Sequence, residues 1–295
     1  MEVVSRVIAS CRAEGRLPFS VEMFPPKGQL TLDAAREVVG GMAQAAPDFV
    51  SVTCSAGGSG NGAQTVAIAG LIQDEAAIPS VAHFTCVGAT RATVEAAVAE
   101  LRSAGVGTVL ALRGDLPKDA PAGAPSSDFR YACDLIPLLK EAGLCVGAAA
   151  YPEGHIDCFD ARANIEYLRA KQEAGADFFI TQLFFDNDCF YRFREQAAAA
   201  GVSAPISCGI MPFLGKSQIQ RMVFLCGSSL PAPIIKLLAK YEDDPASLRS
   251  AGIEYACSQL VDLGRHGVDG LHVYAMNQPN IAQAAAEAIA AAGLR

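Results

Sequence analysis

"FSVEMFPPKG" (Phe19–Gly28) is an apolar run of strand length, stopped by two prolines, with the acid Glu22 at its centre. Proline donates no ladder hydrogen bond, so Pro25 and Pro26 end the strand and stiffen the loop behind it. A carboxylate inside such a run is costly to desolvate unless it is paired or protonated. The run is the first of eight. "FVSVTCS" (49–55), "SVAHFTC" (80–86), "TVLALRGD" (108–115), "CVGAAAYP" (145–152), "FFITQLFF" (178–185), "PISCGIMP" (205–212) and "GLHVYAMN" (270–277) follow it. Most begin about thirty residues after the one before, the size of one βα unit.

The segments between them carry helix marks. "TLDAAREVVGGMAQAA" opens with a Thr cap and an early acid, "ATRATVEAAVAELRSAG" repeats apolar residues at helical spacing and ends in Gly105, and "NIEYLRAKQEAGAD" contains Gly175 near its end. Strands alternating with helices mean a parallel sheet, and eight units match a closed α/β barrel of the (β/α)8 or TIM type. Extra helices are expected before the last strand, around "APIIKLLAKYE" and "PASLRSAGIEYACSQLVDLGRHG". No linker divides the chain, so residues 1–295 are expected to form a single catalytic domain; "KDAPAGAPSSD" (118–128) reads as a surface βα loop.

Composition excludes several function classes. The net charge of −8 argues against nucleic acid as a partner, because phosphate contacts need clustered Lys and Arg. No apolar run reaches the roughly 20 residues of a membrane helix, and "MEVVSRVIAS" lacks the basic start and long apolar stretch of a signal peptide, so a cytoplasmic chain with no membrane partner is expected. The ten cysteines include no CxxC pair for zinc, a cluster or a redox disulfide, and several lie in apolar strands as small hydrophobes.

In a (β/α)8 barrel chemistry sits at the C-terminal strand ends. Polar residues there are Glu22, Thr53, His83, Arg113, Asp115, Tyr151, Glu153, His155, Gln182, Asp186 and Asn277. All seven lysines lie outside the strands, which disfavours a Schiff-base aldolase. There is no HExxH, and His83, His155 and His272 belong to different strands with no spacing that demands a metal. "GSGNGA" (58–63) matches the dinucleotide pattern GxGxxG/A, but it follows the second strand of an eight-unit series and reads as a glycine-rich βα loop.

Taken together and in order, "SVEMFPP", "FVSVTCSAG", "HFTC", "LALRGDLP", "YACDLIPLLK", "AAYPEGH", "AGADFFITQLFFD", "GIMP" and "LHVYAMNQ" resemble the methylenetetrahydrofolate reductase family, flavoproteins of one-carbon metabolism and methionine biosynthesis. The resemblance covers about residues 19–278, nearly the whole catalytic barrel. It implies reduction of 5,10-methylenetetrahydrofolate to 5-methyltetrahydrofolate with FAD (FMN stays open) and NADH or NADPH as reductant. Glu22 falls on the acid that protonates folate N10, and burial in an apolar strand favours the protonated form such an acid needs. Its other reading is an ion pair across the barrel mouth, with Arg113 as partner. Asp115 matches the aspartate beside flavin and pterin; Gln182 and Gln218 match folate contacts; Thr53 matches a nicotinamide contact. Ala56, His83, Arg113, Gly114, Ala132, Tyr151, His155 and Lys171 fall on FAD-contacting positions.

The chain also departs from the family. Asn164, Tyr167 and Ala170 stand where aspartate, asparagine and arginine are common, Cys54 replaces an aromatic, and Cys208 replaces a proline. Gln278 replaces an arginine and is left as the substrate-binding candidate at that position, without the cation that would pair with the glutamate tail. The resemblance implies a homo-oligomer. It leaves as an alternative a flavin- and folate-binding subunit that takes electrons from an iron–sulfur partner subunit rather than from NAD(P)H.

Overall fold

The structure is a computed structural model that describes residues 2–25, 32–54, 62–115 and 128–295. Its centre is a closed parallel barrel of β1 (Phe19–Met23), β2 (Phe49–Val52), β3 (Ser80–Thr85), β4 (Thr108–Leu112), β5 (Cys145–Ala150), β6 (Phe178–Thr181), β7 (Ile206–Ile210) and β8 (Gly270–Tyr274). The strands follow chain order, and β8 closes on β1 with Ser20 beside His272 and Glu22 beside Tyr274. Outside them lie α2 (Leu32–Ala43), α3 (Gly62–Ala76), α4 (Arg91–Ser103), α5 (Ala132–Glu141), α6 (Ala161–Glu173) and α7 (Asn187–Ala199). Between β7 and β8 come the expected extra helices, α8 (Lys216–Cys226), α9 (Ala232–Lys240) and α10 (Pro245–Arg265); α11 (Pro279–Ala291) follows β8.

Local chemistry sets these boundaries. Thr90 caps α4, its hydroxyl accepting from the Thr93 N–H at 3.3 Å. Gly105 and Gly175 follow α4 and α6 at φ +69° and +112°, where a side chain would be strained. The strands are shorter than the apolar runs that announced them. After Thr181 the run 182–185 leaves the sheet: Leu183 and Phe185 pack with Ile219, Ile234 and Leu248 beneath the extra helices, and Phe184 stacks on Phe190 at 5.6 Å. Continuous hydrophobicity there records burial on leaving the barrel, not pairing within it.

One element stands ahead of the sequence expectation. Helix α1 (Val4–Ala13) precedes β1 and closes the N-terminal end of the barrel. Its Val4 and Ile8 join Phe49, Val81, Leu110, Cys145, Phe178 and Ile180 in one buried cluster, and the Val4 N–H donates to the Thr108 hydroxyl at 3.2 Å. With that end plugged by apolar side chains, the polar interior lies toward the C-terminal strand ends.

Candidate active site

Above the apolar plug the interior turns polar. Glu22, only 17 % exposed at its side chain, points Oε2 at two imidazoles: His83 Nε2 at 3.5 Å and His272 Nε2 at 3.8 Å. His83 Nε2 is buried and has no hydrogen-bond partner, and burial lowers its pKa, opposed by the charge of Glu22. His272 is fully buried, with Nδ1 2.7 Å from the Ser20 hydroxyl and Nε2 3.4 Å from that of Ser51. Tyr274 completes this layer, donating to the Thr181 carbonyl at 2.5 Å. Burial, and then the charge of Glu22, raise its pKa well above the usual phenol value. Arg113 pairs with Asp157 at 3.0 Å, so the ion pair across the mouth to Glu22 is not formed.

A second group lies on the rim where β4, β5 and α6 meet. Gly114 turns the chain at φ +84°, leaving Arg113 half-buried and Asp115 exposed. The Tyr151 ring meets His155 edge-on at 4.9 Å, and Lys171 Nζ stands 5.2 Å from its centroid. Asn164 donates to the Tyr151 carbonyl at 2.8 Å, so the side chain that departs from the family motif holds this loop. Lys171 donates to the Ala149 carbonyl at 2.8 Å, and among the described residues no carboxylate pairs with it. Burial pushes its ammonium down to about 8. Burial, and then the Arg113 charge, lower His155 as well. Glu153 Oε1 is buried and unpartnered, while Oε2 accepts from the Ser229 N–H at 2.9 Å. Ala132 is buried at the start of α5. A rim with Arg113, His155 and a half-buried lysine lacking a counter-ion suits an anionic cofactor such as FAD, whose phosphates would supply that charge.

The opposite side, β6 to β8, holds the amides. Gln182 accepts from the Leu183 N–H at 2.9 Å and Gln218 from the Leu214 N–H at 2.8 Å, with Gln218 Nε2 3.3 Å from Met276 Sδ. Gln278 accepts from the Arg249 guanidinium of α10. Thr53 follows β2, its N–H donating to the Met23 carbonyl at 2.9 Å. Ala56 and most of the glycine-rich segment 58–63 lie outside the described residues. Two rim candidates have architectural partners: Asp186 caps α7, and Asn277 exchanges two hydrogen bonds with the Phe24 backbone, at 2.7 and 2.9 Å. His272, Tyr274, Ser20 and Arg249 are the side chains that the motif-based site list lacks. The first three meet Glu22 through the closure of β8 on β1, which pairs Ser20 with His272 and Glu22 with Tyr274 and which no local sequence signal reports. Among the described residues no three His, Cys, Asp or Glu converge as a metal site.

Comparison with known proteins places this geometry in context. The family described as methylenetetrahydrofolate reductase matches residues 7–290. The 5,10-methylenetetrahydrofolate reductases of Pectobacterium carotovorum and Escherichia coli K12 are each 32 % identical over 272 residues, covering 92 % of this chain and 89 % and 90 % of theirs. An Arabidopsis thaliana relative named methylenetetrahydrofolate reductase (NADH) 1 is 31 % identical, and the match spans 49 % of its length. Among solved structures, a Clostridium thermocellum protein described as binding two copies of 5-methyl-5,6,7,8-tetrahydrofolic acid superposes with a TM-score of 0.66, at 14 % identity, over 96 % of this chain and 99 % of its own. That likeness is one of fold.

Proposed function

The chain belongs to the methylenetetrahydrofolate reductase family of oxidoreductases, and from that premise we propose that it reduces 5,10-methylenetetrahydrofolate to 5-methyltetrahydrofolate with Glu22 as the general acid. The observation that carries the reading is Glu22 itself. It is an interior carboxyl at the reactive end of the barrel, shielded from water and facing two imidazoles, with no Arg or Lys among the described residues to hold it as a salt-bridged anion. A carboxyl so placed can reach a nitrogen of a substrate bound over the strand ends.

The reaction asks two things of these residues. The Glu22 proton passes to folate N10, the C–N10 bond of the imidazolidine ring breaks, and the electron pair of that bond stays on N10; an N5 iminium results. When bound, a reduced flavin would supply the hydride for the iminium methylene carbon. The Asp115 carboxylate, at the strand end beside the rim, stabilises the cation that develops on the pterin. Arg113, Tyr151, His155 and Lys171 would hold the flavin cofactor, read here as FAD. Gln182, Gln218 and Gln278 line the folate side, and Thr53 the nicotinamide side. The "(NADH)" in the Arabidopsis relative's name supports a nicotinamide as reductant.

The deciding experiment is spectroscopic. Purified protein is expected to carry a visible flavin band that NADH or NADPH bleaches and methylenetetrahydrofolate restores, with methyltetrahydrofolate as product. In Glu22→Gln the band still bleaches, but folate-dependent reoxidation falls by about 10²–10⁴-fold, the range of general acid catalysis. Near-normal reoxidation in that variant removes Glu22 from the role. A band that only a reduced iron–sulfur protein bleaches assigns the chain to a multi-subunit system instead.

A further inference from the structure

Glu22 is backed by a fixed imidazole that the acid mechanism above does not use. His272 lies on β8 with none of its surface exposed, and its ring stacks on Phe49 at 6.3 Å from below. The Ser20 hydroxyl is 3.1 Å from the Leu271 carbonyl, to which it donates, and 2.7 Å from His272 Nδ1. With the one hydroxyl proton of Ser20 on that carbonyl, Nδ1–H is the donor to Ser20 Oγ. The lone pair of a neutral ring is then left on Nε2. Nε2 faces Ser51 Oγ at 3.4 Å and Glu22 Oε2 at 3.8 Å. Glu22 and Ser51 are themselves register partners on neighbouring strands, so both reach the same nitrogen from one level of the barrel.

We propose that His272 is a positioning residue for Glu22: pinned through Ser20, it turns the Nε2 edge of its ring to the carboxyl and holds it in the orientation from which it acts as an acid. The fixed ring also limits the rotamers Glu22 can adopt. The titratable groups that face His272 are Glu22 from β1, His83 from β3 and Tyr274 from its own strand. Burial lowers His83 and raises Tyr274, so both are neutral near pH 7. Ser20 and Ser51 complete the polar shell, and Phe49 closes it.

The inference rests on the acid role proposed for Glu22, and the test separates the two. His272→Asn keeps a donor for Ser20 and removes the acceptor toward Glu22; Ser20→Ala loosens the pin with a minimal change of volume. In His272→Asn the folate step is expected to fall roughly 10–100-fold in kcat, with KM within about threefold. In Ser20→Ala the same changes appear at roughly 3–10-fold. Reduction by NADH with menadione as acceptor stays at the wild-type rate in both. A second readout needs no turnover. The chain has four histidines, and ¹⁵N-histidine spectra of the purified protein should show His272 protonated at Nδ1, with Nε2 shifted by Glu22→Gln and the tautomer lost in Ser20→Ala. If His272→Asn does not fold, Ser20→Ala and the spectra decide. Wild-type folate kinetics in both variants, a parallel loss of both steps, or an Nε2 signal indifferent to Glu22→Gln overturns the inference. A wild-type protein that reduces no folate overturns the proposed function, while the spectra still test the pin.

Discussion

Lys171 holds an ammonium where its surroundings disfavour one. Its folded pKa of about 8 lies below the ordinary lysine value near 10.4 because of burial, and the Ala149 carbonyl is its hydrogen-bond partner. The sign of the linkage follows. Between about pH 8 and 10.4 the folded apoprotein binds fewer protons at this site than the unfolded chain, so burying the amine costs stability below pH 8 and ceases to cost it as pH rises through that window. An anionic cofactor reverses the preference by pairing with the charged form. FAD affinity, measured by fluorescence titration, is therefore expected to weaken as pH rises above about 8, with a proton taken up on binding. Lys171→Met should lose roughly tenfold or more in affinity at pH 7 and lose the pH dependence with it. An unchanged affinity in that variant would place the phosphates elsewhere. Asp115 makes the complementary prediction. It is exposed, and its charge reaches Tyr151 and His155. Asp115→Asn should slow folate reduction roughly 10–100-fold while FAD affinity changes by less than about threefold; the reverse order would make Asp115 a cofactor anchor.

At the scale of elements, β7 and β8 meet through a glycine that admits an aromatic ring. A Cβ on Gly209 would stand 2.3 Å from the Thr181 carbonyl and 2.7 Å from the Tyr274 ring, and neither the backbone oxygen nor a tyrosine bonded to that same oxygen can move aside cheaply. Gly209→Ala is expected to destabilise the fold by about 1–3 kcal/mol, read from the urea midpoint, and to slow the folate step by displacing Tyr274 from the layer of Glu22. Elements are also where the sequence was most and least legible. Eight apolar runs with glycine-stopped helices between them announced the barrel because each signal is local: period, cap and stop lie within one βα unit. The strand ends were misjudged where hydrophobicity continues past the sheet, as at Leu183–Phe185. Helix α1 was missed although Val4, Val7, Ile8 and Cys11 recur at helical spacing, because a short helix ahead of the first strand has no place in a βα count. The family motifs carried the rim residues and His83, but His272, the second imidazole facing Glu22, was out of reach. Ser20 and His272 are 252 residues apart, and only closure of the barrel makes them neighbours.

For the whole molecule, the two ends of the barrel divide the labour. Motif residues gather at the C-terminal strand ends, where loops carry chemistry, while the N-terminal end is sealed by α1, whose Val4 and Ile8 join Phe49, Val81, Leu110 and Phe178 in one buried apolar cluster. This division makes stability and activity separable by mutation. Ile8 is 2 % exposed and fills the mouth of the sealed end against Phe49 and Phe178, so Ile8→Ala removes buried methylene groups and leaves a cavity that flanking aromatic rings close only in part. The expected cost is about 2–4 kcal/mol, seen as a lower urea midpoint with an unchanged slope. The bottom of the barrel does not touch Glu22, the rim cations or the amides of β6 to β8, so the folded fraction should retain its cofactor affinity, its NADH-to-menadione rate and its folate rate to within about twofold. Glu22→Gln should do the opposite, leaving the midpoint near that of the wild type while slowing the folate step about 10²–10⁴-fold. If Ile8→Ala instead slows the folate step in step with its loss of stability, the polar layer around His272 and Glu22 is supported from below through Phe49, and the barrel transmits strain along its axis rather than confining it to one end.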